Sequence, residues 1–246
     1  MEGYDTATYG DRIASVYDEW YLARMDPGPA VELLAELAGE GRALELGVGT
    51  GRIAIPLTER GIHVTGVDAS QAMVDRLREK PGGERVEVVI GDFTDVAVSG
   101  SFTLVYVPFT TLFALPSQGE QLRCLRNVAS HLDPGGYFVM DAFVPDVGRF
   151  RNHQILSVQH VGSHQVLLEA SRHDPVTQRV ESCHIVLAEG GVQLYPVVVR
   201  YAWPAELDAM ALAAGLRLKW RFGDYDRRVF DATSTRHVSV YEHHDG

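Results

Sequence analysis

The chain has 246 residues, and 22 Lys and Arg against 33 Asp and Glu give a formal net charge of −11. That acidity repels phosphate backbones and anionic lipid, so neither nucleic acid nor a membrane surface is an expected partner, and a small neutral or cationic molecule is. The acidic start MEGYD, the want of about 18 uninterrupted apolar residues, and two cysteines without CxxC spacing, Cys124 and Cys183, suit a cytoplasmic chain with buried thiols and no signal peptide or span.

In chain order, DRIASVYDEWYLA (11–23) places Ile13, Val16, Tyr17 and Trp20 at helical spacing and predicts one helix. A second, 28–39, begins with Pro29 and ends with Gly39. Strand 43–47, helix 51–60, strand 63–68, helix 70–79, strands 86–91 and 102–107, helix 117–132 and strand 136–143 then follow. Strands separated by helices predict right-handed crossovers and a mostly parallel sheet flanked by helices, an α/β fold. From 155 to 202 the pattern changes to period two, broken at Val161-Gly162-Ser163, Asp174-Pro175 and Gly190-Gly191, which predicts a three- or four-stranded antiparallel meander. Helix 205–214, ending at Gly215, and strands 216–222 and 235–242 finish the chain. The expected organisation is a helical lid (1–39), an α/β core (40–145), an antiparallel insertion (150–203) and a segment completing the sheet (204–246).

The stretch ALELGVGTGRIAIPL (43–57) puts Glu45 at the end of the first strand and Gly47, Gly49 and Gly51 before a helix, where glycines let a ligand approach the backbone. A P-loop would end in Gly-Lys-Ser/Thr, and a dinucleotide loop would carry glycine at the position of Arg52. Glu45 would repel a pyrophosphate but can accept from an ammonium group. Asp68 ends the second strand, where a carboxylate reaches ribose hydroxyls, and Asp92-Phe93 end the third, where an acid and a ring suit an adenine.

Together LELGVGTGR, VTGVDAS with Met73, VVIGDF and LDPGGYFVMD resemble the successive motifs of class I S-adenosylmethionine-dependent methyltransferases, over roughly residues 40–145. The resemblance implies a Rossmann-like fold and S-adenosylmethionine as cofactor, with S-adenosylhomocysteine as product. By position, it implies that Glu45, Gly47, Gly49 and Gly51 cradle the methionine part and that Asp68 binds the ribose. Ala69 and Met73 would flank the adenine, Asp92 with Phe93 would fix its edge, and Val107 would join the cofactor-binding set.

The acceptor side departs from several relatives. Val107-Pro108-Phe109 stands where nucleic-acid and protein amide N-methyltransferases carry an acid or amide, two prolines and an aromatic residue. Asp141 lacks the Asp-Asn pair of cation-dependent catechol O-methyltransferases, so no metal is expected. His63 and His131 read as part of the core body, His153, His160, His164, His173 and His184 as meander residues, and His243-His244 as a tail, so no histidine is expected over the sulfonium as general base. Aromatic residues remain: Tyr9 and Tyr17 in TYGDRIASVYDEWY, and Phe109 and Phe113 after the fourth strand.

YGDRIASVYD resembles the lid of methyltransferases from actinomycete antibiotic pathways, including amino-sugar N-methyltransferases and those that methylate a proline-ring nitrogen of lincosamides. That resemblance implies that Tyr9 and Tyr17 close over the sulfonium and, with Phe113, position a small amine, which needs no strong base. The insertion is expected to roof the acceptor and to offer contacts for a homo-oligomer. Other readings are an O-methyltransferase for a sugar or polyketide hydroxyl, a nicotinamide-dependent oxidoreductase, disfavoured by Glu45 and Arg52, and a sensor that binds the cofactor without transferring.

Overall fold

The computed structural model describes residues 1, 3–21, 26–95 and 98–244. Its strands are β1 (Arg42–Leu46), β2 (His63–Asp68), β3 (Glu87–Ile90), β4 (Phe102–Val107), β5 (Leu132–Phe143), β6 (Gln154–Val161), β7 (Gln165–Asp174), β8 (Arg179–Ala188), β9 (Gly191–Arg200), β10 (Leu216–Phe222) and β11 (Arg236–His243). The helices are α1 (Thr8–Ile13), α2 (Tyr17–Tyr21), α3 (Gly28–Ala38), α4 (Ala54–Glu59), α5 (Gln71–Arg78), α6 (Gln118–His131) and α7 (Pro204–Ala213).

A seven-stranded sheet runs in the order β10-β11-β5-β4-β1-β2-β3. Its first five strands in chain order are parallel, while β11 lies antiparallel to β5 and β10. Alternate residues of β1 feed opposite faces: Leu44 and Leu46 pack with Cys124, Leu125 and Leu207 from α6 and α7, and Ala43 packs with Leu34 and Leu57 from α3 and α4. The chain leaves β1 in one direction through β2 and β3 and returns to β4 on the other side. In such sheets the crevice for a ligand opens beyond the carboxyl ends of the strands at this reversal.

The meander is four strands, forming a separate antiparallel sheet in the order β6-β7-β8-β9. Its inner face, with Leu167, Val186 and Tyr195, packs on Ile13, Ala14 and Met73, and Trp20 meets Tyr195 edge-on with ring centroids 4.9 Å apart. The single helix expected over 11–23 is instead α1 and α2, so among the described residues three helices rather than two precede the glycine loop. Val16 donates its N–H to Ile13 O at 2.9 Å in a tight turn, and this break lets Ile13 and Trp20 both reach the meander. Residues 22 and 23 of that expected helix lie outside the described residues. The Ser70 hydroxyl caps α5 by accepting from Met73 N–H at 3.2 Å and donates to Asp11 at 2.6 Å, tying α1 to the core.

His63 starts β2 of the α/β core as expected, where it is exposed and lies 3.4 Å from Glu87. Two smaller expectations are corrected. His243 belongs to β11 and contacts Leu132 O at 3.1 Å, so it is not tail. Cys124 is buried but Cys183 is only half-buried on the meander. No helix among the described residues is long and apolar enough to cross a membrane.

Candidate functional site

Beyond the ends of β1, β2, β3 and β4, and beneath α1 and β9, lies a cavity lined by Tyr9, Tyr17, Glu45, Gly47, Gly49, Asp68, Ala69, Met73, Asp92 and Phe93. All ten carry expected roles from the sequence. Three expected members do not line it. Gly51 stands behind the loop with φ +77°, where a Cβ would meet Leu77 Cγ at 2.9 Å, so it is needed for helix packing. Val107 is fully buried in the core, as is Phe113, which packs edge-on to Phe143 at 5.3 Å between centroids. The cause is the loop after β4, where Phe109 and Thr110 both adopt left-handed φ, 57° and 64°. That turn sends the Phe109 ring to the cavity and Phe113 back into the core.

The acids are arranged by the strand ends. Glu45 is 2% exposed and accepts from the Tyr106 hydroxyl at 2.8 Å. Burial pushes its carboxyl up to about 8, against the pull of Tyr106 and of nearby Arg52. Asp68 accepts from the N–H of Gly49 at 2.8 Å and of Ser70 at 2.9 Å, and burial raises it despite both bonds. Gly47 carries φ +76°, and its N–H donates to Val67 O at 2.8 Å, holding the glycine loop against β2. Asp92 accepts from Thr94 N–H at 2.8 Å.

Among the described residues Arg52 is the one Lys or Arg in the lining, against the carboxylates of Asp5, Glu45, Asp68 and Asp92. It is 7% exposed, its guanidinium lies over the Phe109 ring, and its Nε has no hydrogen-bond partner among the described residues. Among the described residues no histidine lines the cavity. Burial drives the Tyr17 hydroxyl up to about 12 and Tyr9 well above the usual tyrosine range, with Tyr21 raising both further and Arg52 pulling Tyr17 down. Both are therefore protonated phenols that can orient a ligand but not take its proton.

Sequence reasoning missed the group that holds the Phe109 turn. Asp141, 2% exposed, accepts from Phe109 N–H at 2.6 Å, from the Tyr225 hydroxyl at 2.7 Å and from Arg236 at 2.7 Å. These donors commit it to structure. Arg52 was legible only as a departure from a dinucleotide loop, and Tyr4, whose hydroxyl accepts from Val198 N–H at 3.2 Å at the cavity edge, carried no signal. His237, also unremarked in the sequence, is fully buried outside the lining, where burial lowers it to about 4.

Residues 43–136 match the family described as a methyltransferase domain. Over 239 residues the chain is 30% identical to the cypemycin N-terminal methyltransferase of a Streptomyces species, spanning 93% of this chain and 98% of that protein. The CcbJ methyltransferase from Streptomyces caelestis shares 44% identity and a TM-score of 0.92 over 98% of this chain and 99% of its own. The chain belongs to the S-adenosylmethionine-dependent methyltransferases. The sugar N-methyltransferase KedS8 from Streptoalloteichus sp ATCC 53650 is similar at 25% identity and a TM-score of 0.67, over 98% of each chain. Methyl transfer from S-adenosylmethionine therefore replaces the nicotinamide reading. The cavity of this methyltransferase fits that donor. A buried carboxylate, Glu45, and a buried guanidinium with an open donor, Arg52, face one space, as the ammonium and carboxylate of a methionine moiety require.

Proposed function

We propose that this methyltransferase transfers the methyl group to the nitrogen of a small amine in antibiotic biosynthesis, a lincosamide ring nitrogen or an amino sugar. The observation that carries the reading is a cavity whose lining, among the described residues, holds no histidine and whose tyrosines Tyr9 and Tyr17 are held protonated by burial. An amine acceptor sheds its proton to water and needs orientation rather than a base, whereas a hydroxyl acceptor needs a base beside it. The name of the KedS8 relative, a sugar N-methyltransferase, that of the cypemycin relative, an N-terminal methyltransferase, and the lid resemblance support nitrogen as the acceptor.

S-adenosylmethionine, when bound, supplies a methyl group on a positively charged sulfur. Around it Arg52 takes the carboxylate and Glu45 the ammonium, Gly47 and Gly49 bring the backbone close, and Asp68 accepts from the ribose hydroxyls. Ala69 and Met73 flank the adenine, and Asp92 with Phe93 fixes its edge. Tyr9, Tyr17 and Phe109, the last in the role expected of Phe113, position the amine lone pair and exclude water, so that orientation supplies much of the acceleration. Val197 and Val199 of β9 roof the acceptor end.

The test is release of S-adenosylhomocysteine with an N-demethylated lincosamide and with a hydroxylated sugar or polyketide, each scanned against pH. The expected result is turnover with the amine that rises through the amine's own pKa. Turnover with the hydroxyl compound alone overturns the reading.

A further inference from the structure

Gln121 of α6 is fully buried, Arg200 at the end of β9 is 5% exposed, and the two hold each other by two hydrogen bonds. Arg200 Nη1 donates to Gln121 Oε1 at 2.7 Å, and Gln121 Nε2 donates to the Arg200 carbonyl at 2.8 Å. The same Nε2 lies 3.4 Å from Leu112 O and 3.5 Å from Leu115 O, carbonyls within and just after the 3₁₀ turn Thr111–Ala114. The other arm of the guanidinium, Nη2, donates to Gln178 Oε1 at 3.1 Å and to Glu206 of α7, which also accepts from Gln118 and Gln178. Neither Gln121 nor Arg200 is part of the cavity lining. The two main-chain segments that they join both are, with Ala114 and Leu115 on one side and Val197 and Val199 on the other.

We propose that Gln121 and Arg200 are positioning residues for methyl transfer, a buried clasp that sets the width of the acceptor end of the cavity; this rests on the proposed placement of the acceptor beneath Val197 and Val199. Stability does not explain the clasp. A buried ion pair with its amides gains no more than well-packed apolar side chains of the same volume, because desolvation offsets the attraction. What a fully satisfied polar network adds is direction, since its bonds hold their partners at one separation where apolar surfaces can slide. The clasp bonds main-chain carbonyls of both walls, so it acts on where Leu115 and Val199 stand. Reacting atoms must meet at about 3–3.5 Å and in line, so a displaced wall weakens the productive seating of the acceptor. The groups proposed for the donor, Glu45, Arg52 and Asp68, belong to β1, β2 and the loop between them, and their own bonds run elsewhere.

Gln121→Met keeps the length of the side chain in α6 and removes its donor and its acceptor. KM for the acceptor is expected to rise about tenfold with kcat within about threefold, while affinity for S-adenosylhomocysteine by calorimetry stays within about twofold. Arg200→Lys keeps a charge beside Glu206 but lacks a second arm for Gln121, so KM should move the same way by a smaller factor. Cys124→Ala, an equally buried change one turn along α6, controls for lost packing alone: it is expected to lower the unfolding midpoint and leave KM for the acceptor unchanged. The acceptor is whichever of the N-demethylated lincosamide and the hydroxyl compound the parent turns over, so failure of the nitrogen reading shows in the parent and failure of the clasp only in the variants. Amide hydrogen exchange of the S-adenosylhomocysteine complex needs no acceptor: segments 111–116 and 195–200 should both exchange several-fold faster in Gln121→Met and not in Cys124→Ala. A Gln121→Met or Arg200→Lys enzyme with the parent's KM, an equal loss of donor affinity, a Cys124→Ala enzyme that raises KM as much, or unchanged exchange in either segment of Gln121→Met overturns the inference.

Discussion

The guanidinium of Arg52 lies 3.4 Å from the centroid of the Phe109 ring. That stacking joins the glycine loop after β1 to the turn after β4, across the reversal in strand order where the cavity opens. Phe109 holds its left-handed backbone because Asp141 takes its N–H, and Asp141 is fixed in turn by Arg236 and Tyr225 from the end of the chain. A cation over a ring contributes about 0.5–2 kcal/mol, which suffices to orient the guanidinium while leaving its N–H groups for an anion.

Replacement of Arg52 by Met keeps the apolar stem and removes the charge. Affinity for S-adenosylhomocysteine by titration calorimetry is expected to fall about 10–100-fold, the loss of a charge-assisted bond or pair of bonds. Lys in its place is expected to recover only part, because an ammonium lacks the planar fork that stacks on Phe109. Affinity within twofold of the parent in the Met variant would remove Arg52 from the donor site.

The Asp141 cluster predicts a stability effect together with a site effect. Asp141→Ala leaves Phe109 N–H and Tyr225 without an acceptor and Arg236 without its buried partner. Arg236 keeps 30% side-chain exposure, so the cost is expected near the lower end for broken buried pairs, about 2–3 kcal/mol in urea unfolding. With the Phe109 turn released, KM for the acceptor is expected to rise more than kcat falls. An unchanged unfolding midpoint would show that the three contacts contribute no net stability.

The fold was legible because its signals are local. Glycines, caps and periodicity fix β1 to β5 within a few residues, and the turns at 162–163, 174–175 and 190–191 separate the four meander strands as their sequences indicate. The proposed donor side of the cavity was legible as lining for the same reason, since Glu45, Asp68 and Asp92 each stand at a strand end. The acceptor side was not. Phe109 and Thr110 are two consecutive residues other than glycine with positive φ, a conformation that Asp141, Tyr225 and Arg236 impose from as much as 127 positions away in the chain. Nothing in the local sequence distinguishes Phe109, which reaches the cavity, from Phe113, which does not. The single helix expected over 11–23 failed likewise, because the break at 14–16 is set by packing on the meander rather than by a breaker residue.

Tyr17 is expected to act through its hydroxyl in positioning. Tyr17→Phe should lower kcat about tenfold while affinity for S-adenosylhomocysteine stays within about threefold, since the ring and its contact with Tyr21 at 4.8 Å remain. The pH profile of kcat/KM should keep its midpoint, because a phenol pushed up to about 12 does not titrate in the working range. A shifted midpoint would make the tyrosine a proton acceptor and favour a hydroxyl substrate.

Glu45 is expected to couple stability to donor binding. Burial lifts its carboxyl from the ordinary 4.5 to about 8, so between those values the folded chain holds a proton that the unfolded chain releases. Stability of the donor-free protein should therefore fall as pH rises through that window, the reverse of the usual salt-bridged carboxylate. Glu45→Gln removes the penalty: its Tm should exceed the parent's at pH 8, with the difference vanishing near pH 5. Binding should move oppositely. In the proposed site the donor's ammonium pairs with the ionised carboxylate, so parent affinity for S-adenosylhomocysteine should strengthen from pH 6 to 7.5 with proton release, which calorimetry in buffers of differing ionisation enthalpy reads directly. The Gln variant should lose both the slope and at least tenfold in affinity at pH 7.5, trading function for stability. A variant that is no more stable at pH 8 and keeps the parent's pH slope would show that Glu45 is ionised in the free protein and does not meet the ammonium.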